Sequence, residues 1–524
     1  MLNIKPRDYQ ESIFNTAKSN NTLVVLPTGI GKTLIALMLA TERLKQHPTS
    51  KIIFLAPTRP LVEQHFQTFQ KHLPELFADL QIFTGSVPAK NRQKIFQTAE
   101  IIFSTPQCVA NDLRKNLYSL NNTSLLIIDE AHRCLKNYDY TKVVRFYKDQ
   151  SPSQLQKILG LTASPGSDTE KVKEICNHLN IQEIESRTRH SSDVKPYLQE
   201  LEFKKVEIPF PQKFIEIRVL LQKIWDTCVS KLKQKNILYG PANKITLLKL
   251  QARLSNQISS GNFRAVAGIS QTAQAIKISH ALELLETQTL SGLNEYLNNL
   301  LKQAKVKQSK AVQTLVKTSE FKAAQLSLSH LLSKNTEHPK ISHLSKLINS
   351  EFSKNPNSKI IIFSQYRETA ATIAKTLNQF PEVNASIFIG QAKTTTSKNT
   401  KHSQGFSQKE QKQVIEDFKQ GKINILCATS IGEEGLDIPE VNAVIFYEPI
   451  PSAIRKIQRA GRTARLSPGK LVILVTKDTR DIAHYYASAA REKKMHQTLD
   501  IIKKEMKEKI TSQPKQTKTL DNFK

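Results

Sequence analysis

Two α/β domains with parallel sheets, separated by an all-helical insertion, are the fold that this 524-residue sequence predicts. Three observations point to it. Short β-branched runs alternate with helical stretches in two separate parts of the chain. Those runs are apolar throughout, as strands buried on both faces of a parallel sheet must be. Between the two parts, apolar residues recur at helical steps instead.

In the first part the runs are "TLVVL" (22–26), "KIIFL" (51–55), "EIIFS" (100–104), "SLLIID" (124–129) and "ILGLTAS" (158–164). In the second they are "KIIIFS" (359–364), "ASIFIG" (385–390), "INILCATS" (423–430), "AVIFYEP" (443–449) and "LVILVT" (471–476). Between them, Phe214, Ile217, Leu221, Ile224 and Cys228 form one amphipathic stripe, and Leu247, Leu250, Leu254 and Ile258 form another. The expected boundaries are 1–200 for the first α/β domain, 201–338 for the helical block and 339–490 for the second α/β domain. A basic helix fraying into a tail is expected over 491–524.

Composition narrows the class. Apolar residues make up 39% of the chain, with 22 Pro and 16 Gly, which reads as globular rather than disordered. The most apolar stretch, 22–40, is broken by Pro27, Gly29, Gly31 and Lys32, and the N-terminus lacks an apolar signal core. A soluble, cytoplasmic chain with no membrane segment is therefore expected. Five scattered cysteines without a C-x-x-C pair argue against a disulfide framework or a zinc site. The balance of 76 Lys and Arg against 46 Asp and Glu gives +30, which suits a polyanionic partner. Residues 201–340 carry 21 Lys and Arg against 9 Asp and Glu, a net +12. Their exposed faces are either a nucleic-acid grip or solvated helix surface.

Three motifs carry chemistry. "LPTGIGKT" (26–33) lies between a buried strand and the helix-forming "LIALMLA", the setting a phosphate-binding P-loop needs. Backbone N–H groups around Gly29, Gly31 and Lys32 would form an anion nest. Lys32 would reach the β- and γ-phosphates and Thr33 would hold Mg²⁺. Leu26, however, stands where the usual pattern has its first glycine. "LLIIDEAH" (125–132) places two adjacent carboxylates at the end of an apolar strand, which is costly unless a cation shares the site. Asp129 would bind Mg²⁺ through water, and Glu130 would orient and deprotonate an attacking water. "QRAGRTAR" (458–465) spaces Arg459, Arg462 and Arg465 every third residue, on or near one helix face. Arginines clustered without local acids want phosphate, and they would complete the nucleotide site from across an interdomain cleft.

With these three, "RDYQ" (7–10), "PTRPL" (57–61), "TPQ" (105–107), "TASPG" (162–166), "FSQYR" (363–367) and "ATSIGEEGLDIP" (428–439) complete an ordered set. The set resembles the motifs of superfamily 2 helicases, whose two motor domains are RecA-like. That superfamily has no strict glycine requirement at the position of Leu26. "DEAHRCLKNYDY" (129–140), "IESRTRHSSDVKPY" (184–197), "EHPK" (337–340), "FIGQA" (388–392), "FSQKEQ" (406–411) and "FYEPIPSAIRKIQR" (446–459) resemble the Hef/FANCM branch of DNA helicases, as does a helical insertion. The resemblance covers roughly residues 1–495.

It implies an ATP-driven helicase or translocase acting on forked or branched DNA, in replication-fork repair and recombination. By motif, Arg7 and Gln10 resemble adenine-reading positions. Thr28, Gly29, Gly31, Lys32 and Thr33 resemble the phosphate and metal loop, and Asp129, Glu130, Gln458, Arg462 and Arg465 the rest of the ATPase set. Arg59, Thr105, Arg367 and Thr429 resemble backbone-contacting or coupling positions. Thr162 and Ser164 resemble the motif that links hydrolysis to domain motion. Ala460 and Ala464 replace residues often bulkier or glycine, while leaving the arginine spacing intact.

Many archaeal Hef proteins continue into an XPF-type nuclease. This sequence carries no E-R-K-x-x-x-D signature, so nuclease activity is not expected of it and a separate nuclease subunit is the alternative source. "TKTLDNFK" (517–524) resembles a sliding-clamp (PCNA) peptide, with Leu520 and Phe523 as its hydrophobic plug. It departs from that pattern in placing Gln516 one position early and in lacking a second aromatic. Two rival readings share the motifs: a double-stranded-RNA translocase of the RIG-I/Dicer type, and an ATP-gated DNA clamp or scaffold that recruits a nuclease.

Overall fold

The computed structural model describes residues 4–74, 77–260, 265–390, 405–429, 438–464 and 467–511. The first sheet comprises β1 (Thr22–Val25), β2 (Lys51–Leu55), β3 (Leu80–Phe83), β4 (Ile101–Ser104), β5 (Thr123–Ile128), β6 (Ile158–Thr162) and β7 (Glu183–Ser186). Its spatial order is β3-β4-β2-β5-β6-β1-β7, and every pairing is parallel. Helices cover both faces. Phe54 and Leu125 point to one apolar layer, Ile53 and Leu126 to the other. That two-sided burial is why these strands carry no alternation. β3 and β7 sit at the edges with half-buried or polar faces, and the run pattern missed both.

The second sheet comprises β8 (Leu201–Ile208), β9 (Ile360–Phe363), β10 (Ala385–Phe388), β11 (Ile425–Ala428), β12 (Ala443–Phe446) and β13 (Gly469–Thr476), in the order β10-β11-β9-β12-β13-β8. All of its pairings are parallel too. β8 corrects the expected boundary at 201. The chain first adds an edge strand to the second sheet, pairing Leu201–Ile208 with Gly469–Thr476, and only then enters the helices. The adjacent lysines in "LEFKKVEI" break the period-two pattern, and an edge strand exposes most of one face, so neither strand signal was present.

Among the described residues, six helices, from Gln212–Gln234 to Ser319–Ser333, form the insertion. Both stripes seen in the sequence face its core, with Phe214, Ile217, Leu221, Leu247, Leu250 and Leu254 buried. Where the insertion returns to the second domain, Lys340 Nζ, on the helix Pro339–Lys354, forms a fully buried ion pair with Asp481 Oδ2 at 2.5 Å. Lys340 also donates to the Thr287 carbonyl at 3.0 Å, at the end of an insertion helix.

The C-terminal basic segment is no separate unit. One helix runs Arg480–Thr511, starts on the second domain and packs back onto the first, where Leu499 and Ile502 enter its core. Leu520 and Phe523 lie outside the described residues. Among the described residues no helix is long and apolar enough to cross a membrane. All five cysteines are free and buried.

Candidate functional site

The site grows from the C-terminal ends of the strands, where parallel α/β sheets collect their ligands. β1 ends at Val25, and the helix Lys32–Gln46 begins with Gly31 as its N-cap. Gly29 and Gly31 hold φ of 84° and 81°, a left-handed backbone that a side chain would strain. The loop is clamped from the N-terminus. Tyr9 Oη donates to the Ile30 carbonyl at 2.6 Å, and Gln10 Nε2 lies 3.3 Å from the Gly31 carbonyl. A β-carbon at 31 would also overlap that amide nitrogen and displace the end of the Gln10 side chain from the loop. The Arg7 guanidinium sits 5.1 Å from the ring centre of Tyr197, which closes "SDVKPY".

Within the loop, Lys32 Nζ donates to the carbonyls of Leu26 (3.0 Å) and Pro27 (3.3 Å). Thr33 Oγ1 lies 3.3 Å from Nδ1 of His65, whose Nε2 lies 3.0 Å from Asp129 Oδ2. The P-loop threonine and the strand-end aspartate are thus joined through one imidazole. Burial pushes the Asp129 carboxyl up, but His65 and Lys32 outweigh it and hold the group below its usual range. His65 was missed by sequence reasoning. The signal was present, since Val62, His65 and Phe69 share the buried stripe of the helix Arg59–His72.

Glu130 has φ 52° and ψ 48°, a left-handed conformation rare outside glycine. Its Oε2 lies 3.1 Å from His132 Nδ1, a contact without hydrogen-bond geometry that is an ion pair only when the imidazole carries a second proton. His132 Nδ1 is in turn 3.1 Å from Thr162 Oγ1, which donates to the Ser164 carbonyl. Ser164 Oγ lies 2.8 Å from Met495 Sδ on the C-terminal helix. Thr162 and Ser164 therefore connect the acidic strand end to a helix rooted in the other domain.

The second domain meets the loop directly. A β-carbon at Gly461 would overlap Thr28 Oγ1 and lie 2.6 Å from Thr28 Cβ. Behind this contact a cavity of about 440 Å³ separates the domains, lined by Thr28, Ala163, Arg189, Ile457, Gly461 and Met495 among others. The helix Ala453–Ala460 ends just before Gly461, so the arginine run does not continue along one helix. Thr463 pulls the chain into a bridge with Val441, donating to its carbonyl at 2.6 Å. Arg459 is buried, its guanidinium 4.7 Å from the ring centre of Phe363, whereas Arg462 is half-buried on the turn after Gly461. Arg465 and the side chain of Gln458 lie outside the described residues.

This arrangement agrees with comparisons to known proteins. Family models for the DEAD/DEAH box helicase match residues 7–172, and for the helicase conserved C-terminal domain residues 339–467. A third, provisionally described as the helical bundle of an ATP-dependent RNA helicase, matches 213–335. The crystal structure of the Pyrococcus furiosus Hef helicase domain is 40% identical, with a TM-score of 0.70, covering 92% of this chain and 98% of that one. The chain belongs to the Hef/FANCM family of superfamily 2 helicases.

Among its relatives, a Methanocaldococcus jannaschii protein provisionally named an ATP-dependent RNA helicase is 36% identical over 95% of this chain and 61% of its own length. The Neurospora crassa ATP-dependent DNA helicase mph1 is 34% identical over 91% of this chain and 41% of its own. The Fanconi anemia group M protein homolog of Mus musculus is 32% identical over 95% and 26%. The chain thus spans between about a quarter and three fifths of these curated relatives.

The remaining family motifs line the same strand-end rim. Arg59 pairs with Glu63 at 2.7 Å, and Glu63 reaches Lys412 of the second domain at 3.2 Å. Thr105 stands at the N-terminal boundary of the helix Pro106–Arg114, after β4, without a side-chain capping bond. Arg367 begins the helix after β9 and donates to the Gly390 carbonyl at 3.3 Å. Thr429 follows β11, is buried, and donates its N–H to Phe388 at 3.1 Å.

Proposed function

We propose that this chain is an ATP-driven translocase acting on forked or branched DNA, remodelling stalled replication forks and related junctions. The observation that carries the reading is the contact of Thr28 with Gly461, which sets a P-loop against an arginine-bearing turn of the opposite domain. Membership of the Hef/FANCM family supports DNA as the track, since several relatives bear the name of DNA helicases.

The residues present fit a magnesium nucleotide. Thr33 and Asp129 offer the hard oxygens that Mg²⁺ takes, and Glu130 keeps a buried carboxylate oxygen outside any hydrogen bond among the described residues. Mg²⁺ held there would supply positive charge to offset that of the nucleotide phosphates. Lys32 and the N–H groups of Gly29 and Gly31 hold the phosphates, with Arg7 and Gln10 at the base. Glu130 orients the attacking water and takes its proton. Gln458, Arg462 and Arg465 complete the set from the second domain, the arginines stabilising charge on the transferring phosphoryl.

Closure of the cleft presses the 461 turn onto the P-loop, and hydrolysis releases it. Thr162 and Ser164 pass that motion to the C-terminal helix. Arg59, Thr105, Arg367 and Thr429 lie along one rim of both sheets, where a nucleic-acid backbone would be moved by closure. The basic insertion holds a second arm by shape and charge, not base reading. A sliding clamp engaged through Leu520 and Phe523, and a separate structure-specific nuclease, are the partners this reading adds.

The provisional RNA labels on one relative and on the helical-bundle family favour a second reading, translocation on double-stranded RNA. ATP turnover measured with forked DNA against duplex RNA separates the two. Fork stimulation that Glu130→Gln abolishes, with salt-sensitive DNA binding retained, is the expected result. Stimulation by duplex RNA alone would transfer the assignment to RNA, and turnover surviving Glu130→Gln would overturn the catalytic one.

A further inference from the structure

His65 comes from neither of the two motifs it touches. It lies on the helix Arg59–His72, is 7% exposed, and its ring centre is 4.4 Å from that of Phe54. A buried imidazole has two nitrogens to satisfy, and here both find partners: Thr33 Oγ1 and Asp129 Oδ2. An ionised carboxylate only accepts, so Nε2 carries the hydrogen that faces Asp129. In the neutral ring Nδ1 is then an acceptor, and the Thr33 hydroxyl hydrogen is directed at it. The result is chemically specific. In that tautomer Thr33 spends its proton on His65 and keeps its oxygen lone pairs, and in either state of the ring Asp129 keeps Oδ1 outside the His65 contact.

We infer that His65 is a positioning residue for the divalent-cation subsite. It fixes the threonine hydroxyl and the aspartate carboxylate in one relative orientation, so that a cation meets a preformed oxygen pair. The inference rests on the nucleotide-site reading above and goes beyond it by assigning a residue outside both motifs. Orienting groups behind metal ligands are worth about 10–100-fold in metal affinity. A residue that merely filled the core beside Phe54 would have no such effect, and phenylalanine could replace it.

The test compares His65→Phe, which keeps the bulk and the ring contact, with His65→Gln, whose amide can both donate and accept. His65→Leu serves in place of the phenylalanine variant if the larger ring does not fold. Binding of a fluorescent methylanthraniloyl-ADP is titrated first in chelator and then with rising Mg²⁺, using the full chain. The expected result is unchanged metal-free affinity, a Mg²⁺ midpoint raised about tenfold in His65→Phe, and recovery of most of that loss in His65→Gln. An unshifted midpoint in His65→Phe, a glutamine variant as impaired as the phenylalanine one, or equal loss of metal-free binding in both would each overturn the inference. If the unsubstituted chain binds no nucleotide under either condition, the nucleotide-site reading itself fails, which is a separate outcome.

Discussion

Gly461 lies so close to Thr28 that no side chain fits between the P-loop and the second domain. Thr28 Oγ1 is buried and makes no hydrogen bond among the described residues, so the contact is one of shape. Gly461→Ala must therefore push the two elements apart by an ångström or more. Displacements of that size cost about 10²-fold in rate when reacting groups must be aligned. Nucleic-acid-stimulated kcat should fall by about that factor in Gly461→Ala while nucleotide affinity, set mainly by the first domain, stays near that of the unsubstituted chain. Steady-state kinetics beside equilibrium nucleotide binding would check this, and an unchanged kcat would refute it.

Lys340 and Asp481 form an ion pair with no solvent access, at the joint between the insertion and the second sheet. Removing one partner leaves a buried charge alone, which costs about 3–5 kcal/mol. Lys340→Met should lower thermal stability strongly. The double variant Lys340→Met/Asp481→Leu should recover part of the loss, although the Asp481 carboxylate also accepts from the Thr476 N–H at 2.9 Å. Differential scanning calorimetry of the unsubstituted chain, Lys340→Met, Asp481→Leu and the double variant would decide, and strict additivity of the two single losses would count against the pair.

Glu448 follows β12 at the same joint, and its Oε1 accepts the Gln365 N–H at 2.5 Å. Burial pushes its carboxyl up from 4.5 to about 7, against the opposing pull of Lys340 and Arg459. A raised carboxyl pKa favours the protonated form in the folded state. The stability it contributes is fully present below pH 4.5 and is lost as pH rises through about 7. Glu448→Gln keeps an acceptor for Gln365 without the titration. Its melting temperature should vary less with pH across that window than that of the unsubstituted chain, and parallel profiles would exclude the effect.

The helical insertion begins at Gln212, after β8 has joined the second sheet, so a clean deletion spares Leu201–Ile208. Replacing residues 212–335 with a short linker should weaken binding to forked DNA about tenfold more than to single strands, because the second arm loses its basic contacts. Fluorescence anisotropy on both substrates would measure this, with equal losses counting against a fork-specific grip.

Much of the core and of the first domain's half of the nucleotide site could be read directly from residues. Strands such as "KIIFL" announce themselves because both faces are buried, and Gly29, Gly31, Lys32 and Thr33 are local in sequence. Edge strands were harder. β8 is exposed along much of its length, and Lys204 and Lys205 interrupt its alternation, so nothing local distinguishes it from the start of a helical block. The arginine run misled in one respect. Its three-residue spacing suggested a single face, but Gly461 ends the helix and Arg459 turns into the core over Phe363.

The sequence by itself determined the two parallel sheets, the helical insertion and the motifs of a nucleotide site, because strand burial, helical period and loop chemistry are written over short spans. Tertiary structure alone decided the rest. It brought His65 between Thr33 and Asp129, set Gly461 against Thr28, buried Lys340 with Asp481, and laid the helix Arg480–Thr511 across both motor domains. The side-chain contacts among these join residues at least 32 apart, and such pairings depend on how whole layers pack, which no local pattern encodes.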